Sequence, residues 1–482
     1  MSADIVARGM AAAQSRSANT QTLVKALRTQ AFFPQPSWRT ATNDVATVTV
    51  PAGGAASTIP GYTFIGVTDR SKISWLSGAA GVDANTTYAA RGAWYGASRQ
   101  TNYSSYEFTH TGTKFECYIL CSLIDSTAPN FRVLVNDRIA GTALVPADGA
   151  FRPIAVQFPV SGTRRIRIEM SGARHGGVLV ALPGEVSAVS RSYPLVTVIA
   201  DSFGEGTGAW PYDGEAVSAI RAIGCNCALG AVGGTGLLNP STGGKVNWQD
   251  ANRLSDLALN GFTDAITNAA PNPALGVIMM SLNDNGMQSA NWGGAATYQA
   301  AIAKGLFTLA DHWQAQRPGK PLVVFGPTWP TETPPLDIYR MRDAGQEVCA
   351  STSNIWFIDR LGAGPVLRKG TISSTVTTGT LTNASKIITA LASTSGVAVG
   401  SMVLGTGIPV GARVASVDSA TQVTIDVNAT AGAAGVALTF RNDAAGIYTV
   451  TTDSTHPNQF GHNLDAMWMA RQLRELILTQ FA

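Results

Sequence analysis

The sequence predicts a doubly wound α/β protein, in which a parallel sheet is covered by helices on both faces. From residue 191 onward, short apolar runs alternate with stretches of helix length. Residues 41–190 instead show short alternating strands separated by turn residues, which predicts a β-sandwich or jelly roll. Residues 371–440 contain only four charged residues, and we expect a small inserted β-domain there. A structureless loop of that length would be very unusual within a compact domain.

The composition restricts the possible classes of protein. Of the 482 residues 13% are charged, about half the ~25% of ordinary soluble proteins, and 50 are glycine. These values argue against long exposed helices and coiled coils. The 34 basic and 31 acidic residues nearly balance, so we expect no nucleic-acid partner. A hydrophobic content of 45% excludes disorder over most of the chain.

We also expect no membrane insertion, no metal and no cofactor. The sequence has no uninterrupted apolar stretch of about 18 residues, and Met1–Ser17 lacks the features of a secretory signal. The 5 cysteines form an odd set without the spacing of metal ligands. We therefore expect them to be buried thiols.

The predicted elements follow the chain in order. Residues 1–40 predict a helical leader, which is either an attachment arm or disordered. In the β-sandwich of 41–190, Asn136-Asp137 predicts a turn, and alternation sends Ile166, Ile168 and Met170 to one face of a strand. The α/β domain takes 191–370 and 441–482, around the insertion at 371–440. Its strands are expected at 195–200, 275–280, 322–325 and 355–358, with a second strand ending near 232. Its last helix, 459–478, is expected to direct Leu464, Trp468, Leu473 and Ile477 toward the sheet.

Polar residues with complementary chemistry follow the predicted strands. Ligands of such sheets bind outside the carboxyl ends of the strands. Ser202 follows the first strand, Gly234 the second and Asn283 the third, while Asp453 and His456 precede the last helix. A serine hydroxyl requires an adjacent base, which His456 can supply and Asp453 can orient.

The same set provides donors for an oxyanion. These are the backbone N–H groups of Ser202 and Gly234 and the side-chain amide of Asn283, with Gly233 as the alternative to Gly234. Each residue also has an ordinary interpretation. Ser202 is a candidate helix N-cap, Asn283 and Asp453 are candidate turn residues, and His456 is a candidate surface histidine. Their joint order along the chain favours catalysis. His462, inside the last helix, is interpreted as structural.

These blocks resemble those of the SGNH hydrolases, also called GDSL-type esterases. Ala200-Asp201-Ser202 matches Gly-Asp-Ser with alanine first, Ser281-Leu282-Asn283-Asp284 matches Gly-x-Asn-Asp with serine first, and Asp453-Ser454-Thr455-His456 matches Asp-x-x-His. The resemblance covers about 195–368 and 442–482. It implies a flavodoxin-like sheet and a carboxylic ester hydrolase with a Ser-His-Asp catalytic triad and an oxyanion hole. The sequence lacks a Gly-x-Ser-x-Gly motif, which disfavours the α/β-hydrolase alternative.

The substrate expectation depends on weaker features. Four tryptophans are expected in loops near the site, where they would stack on sugar rings or else pack beneath the loops: Trp210, Trp248, Trp292 and Trp329. The β-sandwich resembles accessory modules of carbohydrate-acting family members, and the leader and insertion resemble parts of phage tail-spike proteins. The resemblance implies an O-deacetylase acting on a bacterial surface polysaccharide.

The protein would then be part of the virion tail. It would act there as a depolymerase-type homo-oligomer, such as a trimer, in contact with other tail proteins. Two alternatives stay open: a lipid or aryl esterase of the same fold, and a non-catalytic receptor-binding tail protein.

Overall fold

The computed structural model describes most of the chain from residue 42 onward. The described ranges are 42–66, 69, 71–77, 94–95, 98–99, 103–121, 130–189, 193–209, 213–242, 244–260, 272–330, 334–365, 373–399, 401–409, 412–442 and 455–480. The leader expected at residues 1–40 lies outside them. The chain divides into two compact units, Met1–Val366 with His456–Ala482, and Leu367–Thr455.

The first part of the larger unit is antiparallel β-structure. Its strands are β1 Thr47–Thr49, β2 Thr63–Gly66, β3 Ser74–Ser77, β4 Trp94–Tyr95, β5 Ser98–Arg99, β6 Ser104–Cys121, β7 Phe131–Val135, β8 Arg138–Ala143, β9 Phe151–Met170, β10 Ala173–Val180 and β11 Val186–Ser187. The Asn136-Asp137 turn between β7 and β8 has positive φ at both residues, 51° and 66°, as a tight hairpin turn requires.

Nine of these strands form one continuous sheet, because β6 and β9 are long enough to pair with strands along their whole length, while β4 and β5 pair only with each other. The sheet order is β2-β10-β6-β9-β7-β8, with β3 and β11 added to β6 and β1 to β9. The β6–β9 register shifts between Gly112 and Lys114. Side chains on both sides of this shift, including Phe108 and Phe115, share one apolar core.

The two faces of β9 behave differently. Ile166, Ile168 and Met170 enter the apolar core, as their alternation predicts. The opposite face is also buried, because it packs against a helix of the α/β region. There Glu169 is fully buried among the guanidinium groups of Arg132, Arg167 and Arg221, which lie on both sides of this contact. The sequence predicts the alternation of β9 but not this buried charge cluster.

A five-stranded parallel sheet forms the centre of the second part. Its strands are β12 Leu195–Ala200, β13 Asn226–Ala231, β14 Leu275–Met279, β15 Leu322–Phe325 and β16 Ile355–Ile358. Their spatial order is β13-β12-β14-β15-β16, which is the 2-1-3-4-5 order of flavodoxin-like doubly wound sheets. Each strand is a short apolar run, as expected for a sheet covered on both faces.

Helices cover both faces of this sheet. They are α1 Ser202–Glu205, α2 Glu215–Ala222, α3 Ala251–Ala258, α4 Tyr298–Gln316, α5 Leu336–Ser351, α6 Arg360–Ala363 and α7 Gln459–Gln480. Helices α2 and α7 pack on one face, and α3, α4 and α5 on the other. Leu473 and Ile477 of α7 are fully buried and Trp468 packs beside them, but Leu464 is 37% exposed, so its predicted orientation is wrong. Among the described residues, no helix is long and apolar enough to span a membrane.

The smaller unit is an antiparallel sheet with its own core. Its strands are β17 Ser373–Leu381, β18 Ile387–Thr389, β19 Met402–Leu404, β20 Val414–Ser419, β21 Gln422–Ile425 and β22 Ala433–Asn442. The order is β19-β22-β17-β18-β21-β20. Buried apolar side chains such as Ile388, Val423 and Phe440 hold the unit together.

Replacing Glu169 with Gln is expected to lower the free energy of unfolding by about 3–5 kcal/mol, because three arginines would lose their shared carboxylate in a dry contact. Burial opposes ionisation of Glu169, but Arg132, Arg221 and Arg167 outweigh it and lower its pKa from 4.5 to about 2. The stabilisation by the ionised form is therefore present above pH 4.5 and is lost as the pH falls toward 2. Urea unfolding at several pH values measures both effects.

Asp343→Asn is the matched control, since its ion pair with Arg342 is largely exposed. We expect this variant to stay within about 0.5 kcal/mol of the wild type. Equal effects of the two substitutions would contradict a stabilising role for the buried cluster.

Candidate active site

Ser202 and His456 form a direct side-chain contact. Ser202 Oγ lies 2.8 Å from His456 Nε2, although 254 residues separate them in the chain. Ser202 begins α1 directly after β12, and His456 lies in the turn before α7. Ser202 retains 8% exposure and His456 is half-buried. A serine hydroxyl that can pass its proton to a neighbouring imidazole is the arrangement of an activated nucleophile.

This contact lies where the topology of the sheet predicts a ligand crevice. In the 2-1-3-4-5 order, the winding direction reverses between the first strand, β12, and the third, β14. Ser202 follows β12, and Asn283 lies in the 3₁₀ turn Leu282–Asp284 after β14. Asn283 Nδ2 lies 3.2 Å from Oδ2 of Asp201, the residue before Ser202. The structure therefore brings Ser202, Asn283 and His456, with their neighbours, to one place.

Asp201 fixes the backbone that carries Ser202. It is the N-cap of α1, and its Oδ1 accepts a hydrogen bond from Phe203 N at 2.9 Å. Its Oδ2 accepts hydrogen bonds from Ser281 Oγ at 2.6 Å and from Asn283 Nδ2 at 3.2 Å. Burial raises the pKa of Asp201 to about 6, although the Ser281 and Phe203 hydrogen bonds act in the opposite direction. This buried carboxylate links the turn that carries Ser202 to the turn that carries Asn283.

The side-chain amide of Asn283 is shared between two acceptors. Besides Asp201 Oδ2, Asn283 Nδ2 donates to the Thr235 carbonyl oxygen at 3.3 Å. Both distances are at the long end of the hydrogen-bond range. An oxyanion beside Ser202 would therefore compete with two weak acceptors for this amide.

The two glycines after β13 are required for different reasons. A Cβ at Gly233 would lie 2.6 Å from the Glu205 carboxylate and 3.3 Å from Ser202 Cβ, so Gly233 is packed against Ser202. Gly234 has φ of +80°, a backbone conformation that favours glycine. Lys245 Nζ donates to the Gly233 carbonyl oxygen at 2.8 Å. Because the peptide is planar, this bond also sets the direction of the Gly234 N–H.

The carboxylate of Asp284 binds the continuation of the loop that contains Gly233 and Gly234. Its fully buried carboxylate accepts hydrogen bonds from the backbone N–H groups of Leu237, Leu238 and Asn239, at 2.8, 2.8 and 2.9 Å. Burial raises the pKa of Asp284 to about 6, against the effect of these bonds. Asp284 belongs to the Ser281–Asp284 block, in which the sequence predicts a role only for Asn283. Its position beside Asn283 was the available signal.

Ala200 and Ser281 stand where the corresponding SGNH sequence blocks have glycine, and the structure accommodates both side chains. Ala200 Cβ occupies the space that a side chain at Gly204 would need, since a Cβ at 204 would lie only 2.2 Å from it. Ser281 is fully buried and uses its hydroxyl to bond Asp201. The methyl group of Ala200 is therefore accommodated because residue 204 is glycine. Ser281 instead contributes an additional hydrogen bond.

The predicted tryptophans have different locations. Trp248 is fully buried, and its Nε1 donates to Thr235 Oγ1 at 2.9 Å, so it belongs to the core and the prediction that it binds substrate is wrong. Trp292 is half-buried and donates to the Met287 carbonyl oxygen, and Trp329 is also half-buried. Trp210 lies outside the described residues, as does Asp453.

A buried network of charged side chains connects α2, α6 and α7 near Ser202. Arg360 Nη2 donates to Glu215 Oε1 at 2.5 Å and to Asp465 Oδ2 at 2.6 Å. His462 is fully buried, with Nε2 2.9 Å from the Thr207 carbonyl oxygen and Nδ1 3.3 Å from Glu215 Oε2. Burial raises the pKa of Asp465 to about 7, although Arg360 lowers it. These contacts tie α7, which follows His456, to α2 and α6.

Comparison with known proteins identifies similar folds but no sequence relative. The sequence matches no protein-family model and no curated protein. A salicylyl-acyltransferase, SsfX3, from a tetracycline biosynthetic pathway is similar in structure with a TM-score of 0.51 and 13% identity, covering 88% of this chain and 99% of that one. A family two carbohydrate esterase from Cellvibrio japonicus has a TM-score of 0.45 and 14% identity, covering 62% and 88%. A GDSL-like lipase from Bacteroides ovatus has a TM-score of 0.40 and 11% identity, covering 64% and 93%.

The first of these similarities shows a shared fold that extends over most of both chains. The chain therefore has a mixed α/β fold with one parallel sheet and additional antiparallel sheets, and it shares this fold with the salicylyl-acyltransferase.

Proposed function

We propose that this protein is a serine esterase of the SGNH type that removes O-acetyl groups from a bacterial surface polysaccharide. The observation that carries the proposal is the 2.8 Å contact between Ser202 Oγ and His456 Nε2 at the switch point of the sheet. Asp453 would complete the triad by holding Nδ1 of His456.

In the first step, Ser202 Oγ attacks the acyl carbon of the ester, and its proton passes to His456 Nε2. The carbonyl oxygen becomes an oxyanion, which the backbone N–H groups of Ser202 and Gly234 and the amide of Asn283 would bind. Collapse of this intermediate breaks the bond to the sugar oxygen. That oxygen takes the proton from His456 and leaves as a free hydroxyl, while the acetyl group stays on Ser202.

In the second step, His456 accepts a proton from water, and the resulting nucleophile attacks the acetyl-serine ester. A second oxyanion forms in the same place and collapses to release acetate, and Ser202 regains its proton. The overall reaction consumes one water and yields a sugar hydroxyl and acetic acid.

The proposed substrate and setting rest on features of the sequence. The half-buried Trp292 and Trp329, together with Trp210, are the aromatic candidates for stacking on sugar rings. The β-rich region before the α/β domain, the β-unit Leu367–Thr455 and the leader at 1–40 favour a phage tail-spike subunit that acts as a homo-oligomer. The virion tail is the location that we propose.

Ser202→Ala is expected to lower kcat for p-nitrophenyl acetate by roughly 10⁴-fold or more, because the substitution removes the nucleophile. Ser351→Ala is the control, since Ser351 ends α5, at the opposite edge of the sheet from the strand ends that carry the site. Hydrolysis that persists in Ser202→Ala but is absent from the buffer would contradict the nucleophile assignment. Absence of hydrolysis by the wild type would favour a receptor-binding tail protein.

His456→Ala is expected to cost nearly as much as Ser202→Ala, and the double variant no more than either one alone. The reason is that a nucleophile and its base act as a unit, so their losses do not add. Comparison of kcat for the two single variants and the double variant tests this. Multiplicative losses would show that the two side chains act independently and would exclude the dyad.

The polysaccharide assignment predicts that acetyl esters are better substrates than long-chain esters. We expect kcat/KM for p-nitrophenyl acetate to exceed that for the octanoate, and the wild type to release acetate from O-acetylated bacterial polysaccharide while Ser202→Ala does not. Mass spectrometry of the polysaccharide measures the loss of acetyl groups. A preference for octanoate without polysaccharide deacetylation would identify a lipid esterase instead.

A further inference from the structure

Ser281 occupies a position where a polar side chain needs a specific reason to be present. It follows β14 by two residues, has no solvent exposure and stands where the SGNH block has glycine. A buried hydroxyl without partners is costly, so its hydrogen bonds indicate what it does. Both bonds that involve its hydroxyl connect parts of the candidate active site.

The direction of these bonds is determined by their partners. Ser281 Oγ accepts a hydrogen bond from Asn283 N at 3.0 Å, so its one proton is available for Asp201 Oδ2 at 2.6 Å. The same Oδ2 accepts the side-chain amide of Asn283. Ser281, Asp201 and Asn283 therefore form a closed ring of hydrogen bonds. Through this ring, the turn after β14 is joined to the turn that carries Ser202.

We propose that Ser281 is a positioning residue, whose hydroxyl fixes the Asp201 carboxylate and thereby the Asn283 amide that serves the oxyanion. This inference rests on the proposed esterase function. Without the hydroxyl, Oδ2 of Asp201 would lose its shortest hydrogen bond and keep only the long bond from Asn283, while Oδ1 would still accept the Phe203 N–H. The Asn283 amide, which has only long bonds to Asp201 and Thr235, would then lose its fixed orientation.

Ionisation of Asp201 supports this role. Burial raises its pKa to about 6, and the Ser281 hydrogen bond is the largest contribution in the opposite direction. The charged groups around Asp201 are Glu215 of α2 and Asp284, which disfavour its ionisation, and Arg360 of α6, which favours it. Removing the hydroxyl should raise this pKa further, because the ionised form loses a donor. A protonated Asp201 is a poorer acceptor for Asn283.

The test compares Ser281→Ala with the wild type on p-nitrophenyl acetate. We expect kcat to fall by about 10–100-fold with little change in KM, less than the ~10²–10³-fold cost of removing an oxyanion donor outright. We also expect the acidic limb of the kcat/KM profile to move to higher pH. The measured quantity is the difference between the pH profile of the variant and that of the wild type.

Thr197→Val is the matched control. Thr197 is a fully buried residue of β12, and its hydroxyl has no hydrogen bond within the described part of the chain. This variant should keep the kinetics and pH profile of the wild type. If Ser281→Ala lowers only the stability and leaves kcat and the pH profile unchanged, Ser281 is merely structural and the inference is wrong.

Two further comparisons keep the outcome interpretable. If Ser281→Ala does not fold, Ser281→Gly replaces it, since glycine retains most of the capping stability at the start of the 3₁₀ turn. Wild-type kinetics in that variant would overturn the inference. If the wild type is no more active than Ser202→Ala, the esterase function itself has failed, and the role of Ser281 with it. An active wild type with an unchanged Ser281 variant refutes the inference alone.

Discussion

All strands of a parallel sheet end at the same edge, and this constraint assembles the candidate site. Ser202 and Asn283 lie 81 positions apart in the chain, yet they follow adjacent strands, so their distance is set by strand spacing. His456 has no strand to place it. Its position depends on α7, whose buried His462 and Asp465 are tied to α2 and α6 through Glu215 and Arg360.

A serine–histidine contact alone does not make a nucleophile, and the chain contains a second pair that illustrates this. Ser104 Oγ lies 2.6 Å from His175 Nε2, closer than the Ser202–His456 contact, but both residues are completely buried in the β-region. Burial lowers the pKa of His175 to about 3. No substrate can reach that hydroxyl in the folded protein. Ser202 differs because it retains exposure and lies at a strand end beside candidate oxyanion donors.

The sequence predicts elements that depend on local pattern. The strands at 195–200, 322–325 and 355–358 agree with the structure, because each is an apolar run bounded by turn residues. Residues that depend on distant partners were not predictable in this way. Trp248 is buried by a loop contact with Thr235, and Glu169 becomes interior only because Arg221 of another region covers it. The hydrogen bond from Ser281 to Asp201 joins residues 80 positions apart, which no local pattern predicts.

Two sets of buried carboxylates respond differently to acid. Glu169 is surrounded by guanidinium groups, which outweigh burial and keep its pKa near 2. Asp201 and Asp284 are held mainly by neutral N–H and O–H donors, which do not offset burial, so the pKa of each is about 6. As the pH falls below 6, the carboxylates that hold the Ser202 turn and the loop after Gly234 take up protons, while Glu169 keeps its charge. The geometry of the candidate site is therefore more sensitive to mild acid than the contact that joins the β-region to the α/β region.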